Sequence, residues 1–233
     1  MSPYLATLFT FVIAVLFLRL MDVLAHRGLI ASRLSRKLIH IGTGPVFVLC
    51  WLMYPAVPIS RWLAALVPLV ITAQFALVGS GLLRDEAAVQ AMSRTGDRRE
   101  ILRGPLFYGL VFVAVTLIYW KDSLIGIPAL MMMCGGDGVA DIVGRRVRSM
   151  KLPWSPEKSV AGSLSVFAGG WLLTLFIFAI YVWAGAFSGP MTRFLLPITW
   201  IALGAMLIES LPFKDIDNLT LTVASALIGH LVF

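Results

Sequence analysis

The chain has 233 residues, 59% of them hydrophobic and 13% charged, against roughly 25% charged in an ordinary soluble domain. With a mean hydropathy of +0.91, one soluble core of this size could not hide the apolar surface. That excludes a soluble globular domain, a disordered chain and a secreted disulfide scaffold, and leaves an all-α integral membrane protein, a single polytopic unit over residues 1–233. The net charge of +7 does not point to nucleic acid, because the basic residues gather between apolar stretches in the positive-inside pattern.

A window of about 19 residues marks seven or eight spans. In chain order they run over Tyr4–Leu24, Leu38–Val57, Trp62–Leu82, Pro105–Trp120, Leu124–Gly144, Ser159–Trp183, Phe194–Leu211 and the short Leu219–Phe233. Backbone groups in lipid must bond within their own segment, so these runs are helices. The period-2 alternation of a membrane barrel is absent. Cys50 and Cys134 lie within apolar runs and read as small buried hydrophobes.

The first loop carries Arg27, Arg33, Arg36 and Lys37, the third Arg84, Arg94, Arg98, Arg99 and Arg103, and the fifth Arg145, Arg146, Arg148, Lys151 and Lys158. The alternate loops carry Arg61, Lys121 and Arg193, one each. The odd loops are therefore expected in the cytoplasm and the N-terminus outside. By parity, the Lys214–Asn218 loop is cytoplasmic too. The start of the chain lacks the basic region and cleavage site of a signal peptide, and lacks an Arg- and Ser-rich transit extension. This favours a bacterial inner membrane or an equivalent photosynthetic membrane. The polar stretch Arg84–Arg103, with Thr95-Gly96-Asp97 as its turn signal, reads as a helix-and-turn connection.

Four polar clusters fall at the cytoplasmic ends of different helices. In the fifth span, Asp137 and Asp141 are four apart and share a helix face. Each acid costs a few kcal/mol in a membrane segment, and the pair suits Mg²⁺ held together with a polyphosphate. Gly135, Gly136 and Gly138 allow close approach of backbone or ligand, while neutralisation by Arg145 and Arg146 is the structural alternative. Next, Ser155 reads as an N-cap and Pro156 as the first residue of the sixth helix. That places Lys158 in the first turn, where an anion at the free N–H groups would explain a cation facing the wrong end of the dipole. A snorkelling lysine is the alternative. The small residues Gly162, Ser165 and Gly169 then form a stripe for close helix packing. In the second helix, Arg36, Lys37 and His40 share a face, and His40 is placed for proton transfer, phosphate contact or a structural role. Glu209 sits inside an apolar run and is followed by Asp215, Asp217 and Asn218.

There is no GxxxxGK[ST] loop and no soluble protein-kinase signature. The chain instead resembles the polyprenol kinase family of membrane enzymes, which includes phytol, farnesol and dolichol kinases. The resemblance rests on RKLIHIGTG at Arg36–Gly44, GGDGVADIVGRR at Gly135–Arg146, KLPWSPEKSVAGS at Lys151–Ser163 and ESLPFKDIDN at Glu209–Asn218. The stretch from Gly136 to Ser163 looks most like the phytol kinase branch. The family often has two adjacent acids before the last asparagine, whereas here Ile216 precedes Asp217 and Asn218.

The resemblance implies about seven transmembrane helices and transfer of the γ-phosphate of a nucleoside triphosphate, usually CTP, to a long-chain isoprenoid alcohol. Phytol would give phytyl phosphate, a tocopherol precursor. Such chemistry needs a metal bridging phosphates and fixed cations. It implies Asp137, Asp141, Lys158 and His40 as catalytic residues. Arg36, Lys37, Gly136, Gly138, Arg145, Arg146, Ser159, Gly162, Ser163 and Asn218 would hold nucleotide and phosphates, and Asp137, Asp141, Glu209 and Asp217 the metal. The partners are the alcohol and the bilayer, with no nucleic acid and with a homo-oligomer compatible. The rival readings are a cytidylyltransferase making a CDP-activated lipid and an ion-coupled transporter. Clustering of the acids at one face, with no broken helices repeated in two halves, opposes the transporter.

The charge bias carries a direct test. Single cysteines placed in Arg84–Arg103 or Arg145–Lys158 should escape an impermeant thiol reagent added outside intact cells; efficient labelling of either loop would reverse the orientation.

Overall fold

The structure, a computed structural model, describes residues 1–93, 95–213 and 216–233, with every side chain among them except those of Asp22, Ser32, Arg33 and Ala91. Arg94, Lys214 and Asp215, named above, lie outside the described residues. The helices are α1 Pro3–His26, α2 Ser32–Cys50, α3 Ile59–Ser80, α4 Glu86–Met92, α5 Gly104–Ile118, α6 Gly126–Met131, α7 Gly138–Arg146, α8 Val160–Trp183, α9 Thr192–Glu209 and α10 Asp217–Val232. A π-helical segment, Met132–Asp137, joins α6 to α7. Two short strands, β1 Lys151–Leu152 and β2 Ser155–Ser159, pair antiparallel.

The protein is an all-α integral membrane protein. Among the described residues six helical stretches are long and apolar enough to cross a bilayer: Pro3–His26, Ile59–Ser80, Arg98–Ile118, Gly126–Arg146, Val160–Trp183 and Thr192–Glu209. Two further helices pack with them. Helix α2 carries Arg33, Arg36 and Lys37 in its first two turns, and α10 has 16 residues.

Local sequence explains most boundaries. Ser2 caps α1, accepting from the Leu5 N–H at 3.3 Å, with Pro3 as its first residue. Helix α3 stops at Gly81, whose φ of 84° is the left-handed cap that glycine takes without strain. The Arg84–Arg103 connection is a short helix capped by Asp85, a turn through Gly96 and a tight turn over Arg98–Leu102. The second helix begins earlier than its apolar run, since Arg, Leu and Lys are strong helix formers. It ends before Tyr54, which is extended ahead of Pro55.

The sixth helix corrects the sequence reading. Ser155 and Pro156 do not start it; they lie in β2, and Ser159 is the N-cap, accepting from the Gly162 N–H at 3.2 Å. Pairing with β1 takes residues 155–159 away from the helix, and Trp154 at the hairpin tip donates to the Ser210 carbonyl at 3.1 Å.

The α6–π–α7 rod is the centre of the bundle. Some 72% of its apolar window is buried, against 12% for α1 at the rim. Met131, Met132, Met133 and Cys134 are fully buried and pack with Ile177 and Phe178 of α8 and Ile201 and Ala202 of α9. Of the small residues Gly162, Ser165 and Gly169, the two glycines lie against the rod, while Ser165 bonds back to the Ala161 carbonyl of its own helix. A Cβ on Gly169 would come within 2.5 Å of the Gly135 carbonyl oxygen, and a Cβ on Gly135 within 2.8 Å of the Gly169 carbonyl oxygen. Gly135 and Gly169 therefore set the α8 contact by letting two backbones touch.

Gly169→Ala should accordingly lower stability by about 1–3 kcal/mol through overpacking, read as a lower midpoint of thermal unfolding in detergent. Ala168→Leu, on the exposed side of the same turn, should leave the midpoint in place. Equal behaviour of the two variants would contradict this packing.

Candidate functional site

Basic and acidic residues far apart in the chain meet at one end of the bundle. Asp137 at the end of the π segment and Asp141 on α7 project side by side, and α2 brings Lys37 and His40 against them. Lys37 Nζ lies 3.8 Å from Asp137 Oδ2 and 3.5 Å from Asp141 Oδ2, with these side chains 14%, 23% and 20% exposed. His40 Nε2 lies 3.2 Å from Asp137 Oδ2 and 3.2 Å from the Met133 carbonyl oxygen at the π turn. Arg145, one turn beyond Asp141, donates from Nε to Asp141 Oδ1 at 2.7 Å. Close opposite charges offset the desolvation of two acids in a membrane segment.

Lys158 belongs to a second cluster. β2 carries it to the end of α9, where Nζ lies 3.0 Å from Glu209 Oε1 and 3.9 Å from Asp217 Oδ1 and donates to the Glu209 carbonyl. The expectation of an anion at free amides of the sixth helix is corrected by the hairpin. The Val160 N–H donates to the Met150 carbonyl, the Ala161 N–H to Ser149 Oγ and the Gly162 N–H to Ser159 Oγ. Ser163 differs: it is 8% exposed, and its hydroxyl has no hydrogen-bond partner among the described residues.

Both clusters open into one polar chamber of about 880 Å³, within the roughly 300–1,000 Å³ of small-molecule clefts. Of the residues singled out in the sequence, Lys37, Asp137, Asp141, Arg145, Lys158, Ser159, Gly162, Ser163, Glu209, Asp217 and Asn218 line it. Asn218 also ties α10 to α5, donating to the Gly104 carbonyl at 3.3 Å. Arg36 is not on its walls; it lines the narrow cavity that adjoins the chamber and donates to the Ser93 carbonyl at 2.9 Å. Gly136 and Gly138 are not on its walls: they are buried in helix packing, where a Cβ would meet Val166 and Ile41 respectively. Arg146 is exposed at the end of α7.

A second, narrow cavity of about 200 Å³ leaves this chamber and runs between α1, α2, α3 and α5. Lys37, Asp137, Asp141, Arg145 and Asn218 line both volumes, whereas His40 lines the cleft alone. Past this mouth the cleft is apolar, walled by Phe17, Phe47, Ile71 and Phe112. Its threonines Thr10, Thr43 and Thr72 each turn the hydroxyl back to the carbonyl four residues earlier, which hides the polar group from the cleft. Tyr108 escaped the sequence reading. It stands at the mouth, its ring 4.5 Å from that of His40, and its hydroxyl donates to the His40 carbonyl at 2.6 Å. A phenol within the apolar run of α5 was the available signal.

Among the described residues no group of three or more His, Cys, Asp and Glu side chains could hold a metal ion by itself. The donor chemistry nonetheless fits Mg²⁺, which typically takes one or two carboxylates and completes its shell from water and substrate phosphates; Asp137 and Asp141 offer two hard oxygen donors on the chamber wall.

No family model matches the chain, and no solved structure does. Curated relatives do. The chain is 38% identical over 98% of its length to a Triticum aestivum protein named "Probable phytol kinase, chloroplastic", of which it covers 77%. It is 41% identical over 90% of its length to the chloroplastic farnesol kinase of Arabidopsis thaliana, covering 69% of it. With phytol kinase 1 of the same plant it shares 36% identity, over 90% of the chain and 70% of the relative. This similarity spans nearly the whole chain, including all four motifs at the chamber, and the chain belongs to the polyprenol kinase family.

Proposed function

We propose that this protein phosphorylates a long-chain isoprenoid alcohol such as phytol, taking the γ-phosphoryl group from a nucleoside triphosphate, CTP. The observation that carries this reading is the meeting of a polar chamber and an apolar cleft at one pair of acids, Asp137 and Asp141. A kinase of this kind has to bring a polyanion and a hydrocarbon chain to the same point. The names of the relatives support the acceptor class, and the motif resemblance supports CTP.

In this reading the triphosphate lies in the chamber, where Lys37, Arg145 and Lys158 neutralise it and the Ser163 hydroxyl donates to a phosphate oxygen. The alcohol lies in the cleft with its hydroxyl beside Asp137. The alcohol oxygen forms a bond to the γ-phosphorus as the bond to the β–γ bridging oxygen breaks. The hydroxyl proton passes to the Asp137 carboxylate, which His40 orients, and CDP leaves into the chamber. Asp137 and Asp141 would hold Mg²⁺ together with the phosphates, and the ion supplies charge neutralisation. Glu209 and Asp217 fit the task of positioning Lys158 better than that of binding a second metal, since both already face its ammonium.

The chamber is proposed to face the side of the Lys- and Arg-rich loops, the cytoplasm or its plastid counterpart. The relatives are named as chloroplastic, which fits a photosynthetic membrane rather than a bacterial inner membrane. There the product, phytyl phosphate, would feed tocopherol synthesis.

Three outcomes follow. With Mg²⁺, phytol and CTP labelled at either the α or the γ position, γ-label should enter the organic phase and α-label should not; α-label in the lipid would make the enzyme a cytidylyltransferase. Asp137→Asn and Asp141→Asn should each lose at least about a hundredfold in turnover while remaining folded in detergent, and wild-type turnover in both would remove them from the site. Lys158→Ala removes the ammonium that Glu209 Oε1 faces at 3.0 Å, so its unfolding midpoint should fall by an amount worth about 1–3 kcal/mol. Adding Glu209→Gln should recover part of that stability without recovering turnover. If the double variant is no more stable than Lys158→Ala, the proposed charge coupling is absent.

A further inference from the structure

The apolar cleft has a floor. Its lining ends at Thr10 of α1 and Cys50 of α2, which are 1% and 5% exposed. Beyond them Ala6, Tyr54 and Ala64, at 0%, 2% and 0% exposure, close the bundle, with Met53, Leu63 and Trp120 packed around them. The Tyr54 and Trp120 rings meet edge to face at 5.7 Å. A chain entering from the Asp137 end therefore meets side chains from three helices and the turn after α2 before it reaches the opposite face.

Helix α2 measures the depth. Cys50 lies 10 residues beyond His40 and 13 beyond Lys37, and an α-helix rises about 1.5 Å per residue, so the floor is roughly 15–20 Å from the acids. An extended hydrocarbon with C–C bonds of about 1.5 Å advances roughly 1.25 Å per carbon. Farnesol, with about 12 carbons in its main chain, then reaches ~15 Å, and phytol, with about 16, reaches ~20 Å. A polyprenol of about 11 isoprene units reaches ~55 Å and would have to pass through the floor.

We infer that Thr10 and Cys50 act as a length stop that sets the longest acceptor at about four isoprene units, an estimate from the same chain geometry. This rests on the kinase reading above for the position of the hydroxyl, and on the buried floor of the cleft for the rest. Selection comes from steric exclusion at the tail end, far from the reacting atoms, so it acts on the choice of alcohol and leaves the phosphoryl chemistry to the chamber.

The test compares geraniol, farnesol, phytol and undecaprenol as acceptors for the full-length protein in detergent. The wild type should use farnesol and phytol and reject undecaprenol. Cys50→Phe raises the floor, and the ratio of kcat/KM for phytol to that for geraniol should fall about tenfold, the scale set by one badly fitted group in an apolar pocket. Thr10→Leu, on a different helix, should move the same ratio in the same direction. A ratio is insensitive to a loss of folded protein, so partial misfolding of a variant does not hide the result. Unchanged ratios in both variants, or turnover of undecaprenol equal to that of phytol, would overturn the proposal.

A phytol analogue with a photoreactive diazirine at its tail separates this idea from the kinase reading. Cross-linking mapped to the segments containing Thr10 or Cys50 supports the stop even if no nucleotide phosphorylates the alcohol, an outcome that would sink the kinase reading alone. Cross-linking confined to other segments contradicts the stop.

Discussion

Two carboxylates at one end of the central rod of the bundle are the constraint on which the arrangement depends. Asp137 and Asp141 stand on the most buried rod of the fold, where an uncompensated charge is strongly unfavourable. Their compensation is supplied by Lys37 and His40 from α2 and by Arg145 one turn along. Because α2 must bring its cations to this rod, its basic first turns are drawn into the bundle. Gly138 permits the approach: its hydrogen faces Ile41 and His40 where any side chain would collide. The acids therefore do two things at once. They dock α2, and they leave a partly exposed set of alternating charges at the boundary of two unlike volumes.

The separation of those volumes explains how one small protein can handle reactants of opposite solubility. The chamber draws its walls from α2, α4, α5, α7, β2, α8, α9 and α10 and the turn before α5, and its charge comes from residues scattered over the whole sequence. The cleft draws on α1, α2, α3 and α5 and hides even its threonine hydroxyls. Only the mouth belongs to both. Tyr108 reinforces it by tying the α2 backbone to α5 at His40. The β-hairpin serves the other side of the chamber: Trp154 anchors it on Ser210, and this places Lys158 between Glu209 and Asp217.

Much of this was legible in the sequence, and the failures have physical causes. The apolar runs located the helices, and the i, i+4 spacing of Asp137 and Asp141 put them on one face. The alternation of basic loops anticipated that Lys37, Arg103, Arg145 and Lys158 would gather at one end. Ser155-Pro156 was misread because it satisfies the local rules for a helix start, as Ser159 also does; the β1 pairing, a contact outside any local window, decides between them. Gly136 and Gly138 looked like room for a ligand and instead give room to neighbouring helices, a distinction that requires knowing what packs there. The partners of Lys158 lie 51 and 59 positions away, so no helical spacing could reveal them. The cleft, assembled from four helices, has no linear signature at all.

The central claim is that donor and acceptor meet directly at the shared mouth, with no phosphorylated protein between them. The stereochemical course at phosphorus tests this most directly. With a nucleoside triphosphate made chiral at the γ-phosphorus by oxygen isotopes, one in-line transfer from chamber to cleft gives the alkyl phosphate with inverted configuration. Retention of configuration would require two successive transfers through a protein-bound phosphate, and would contradict the account.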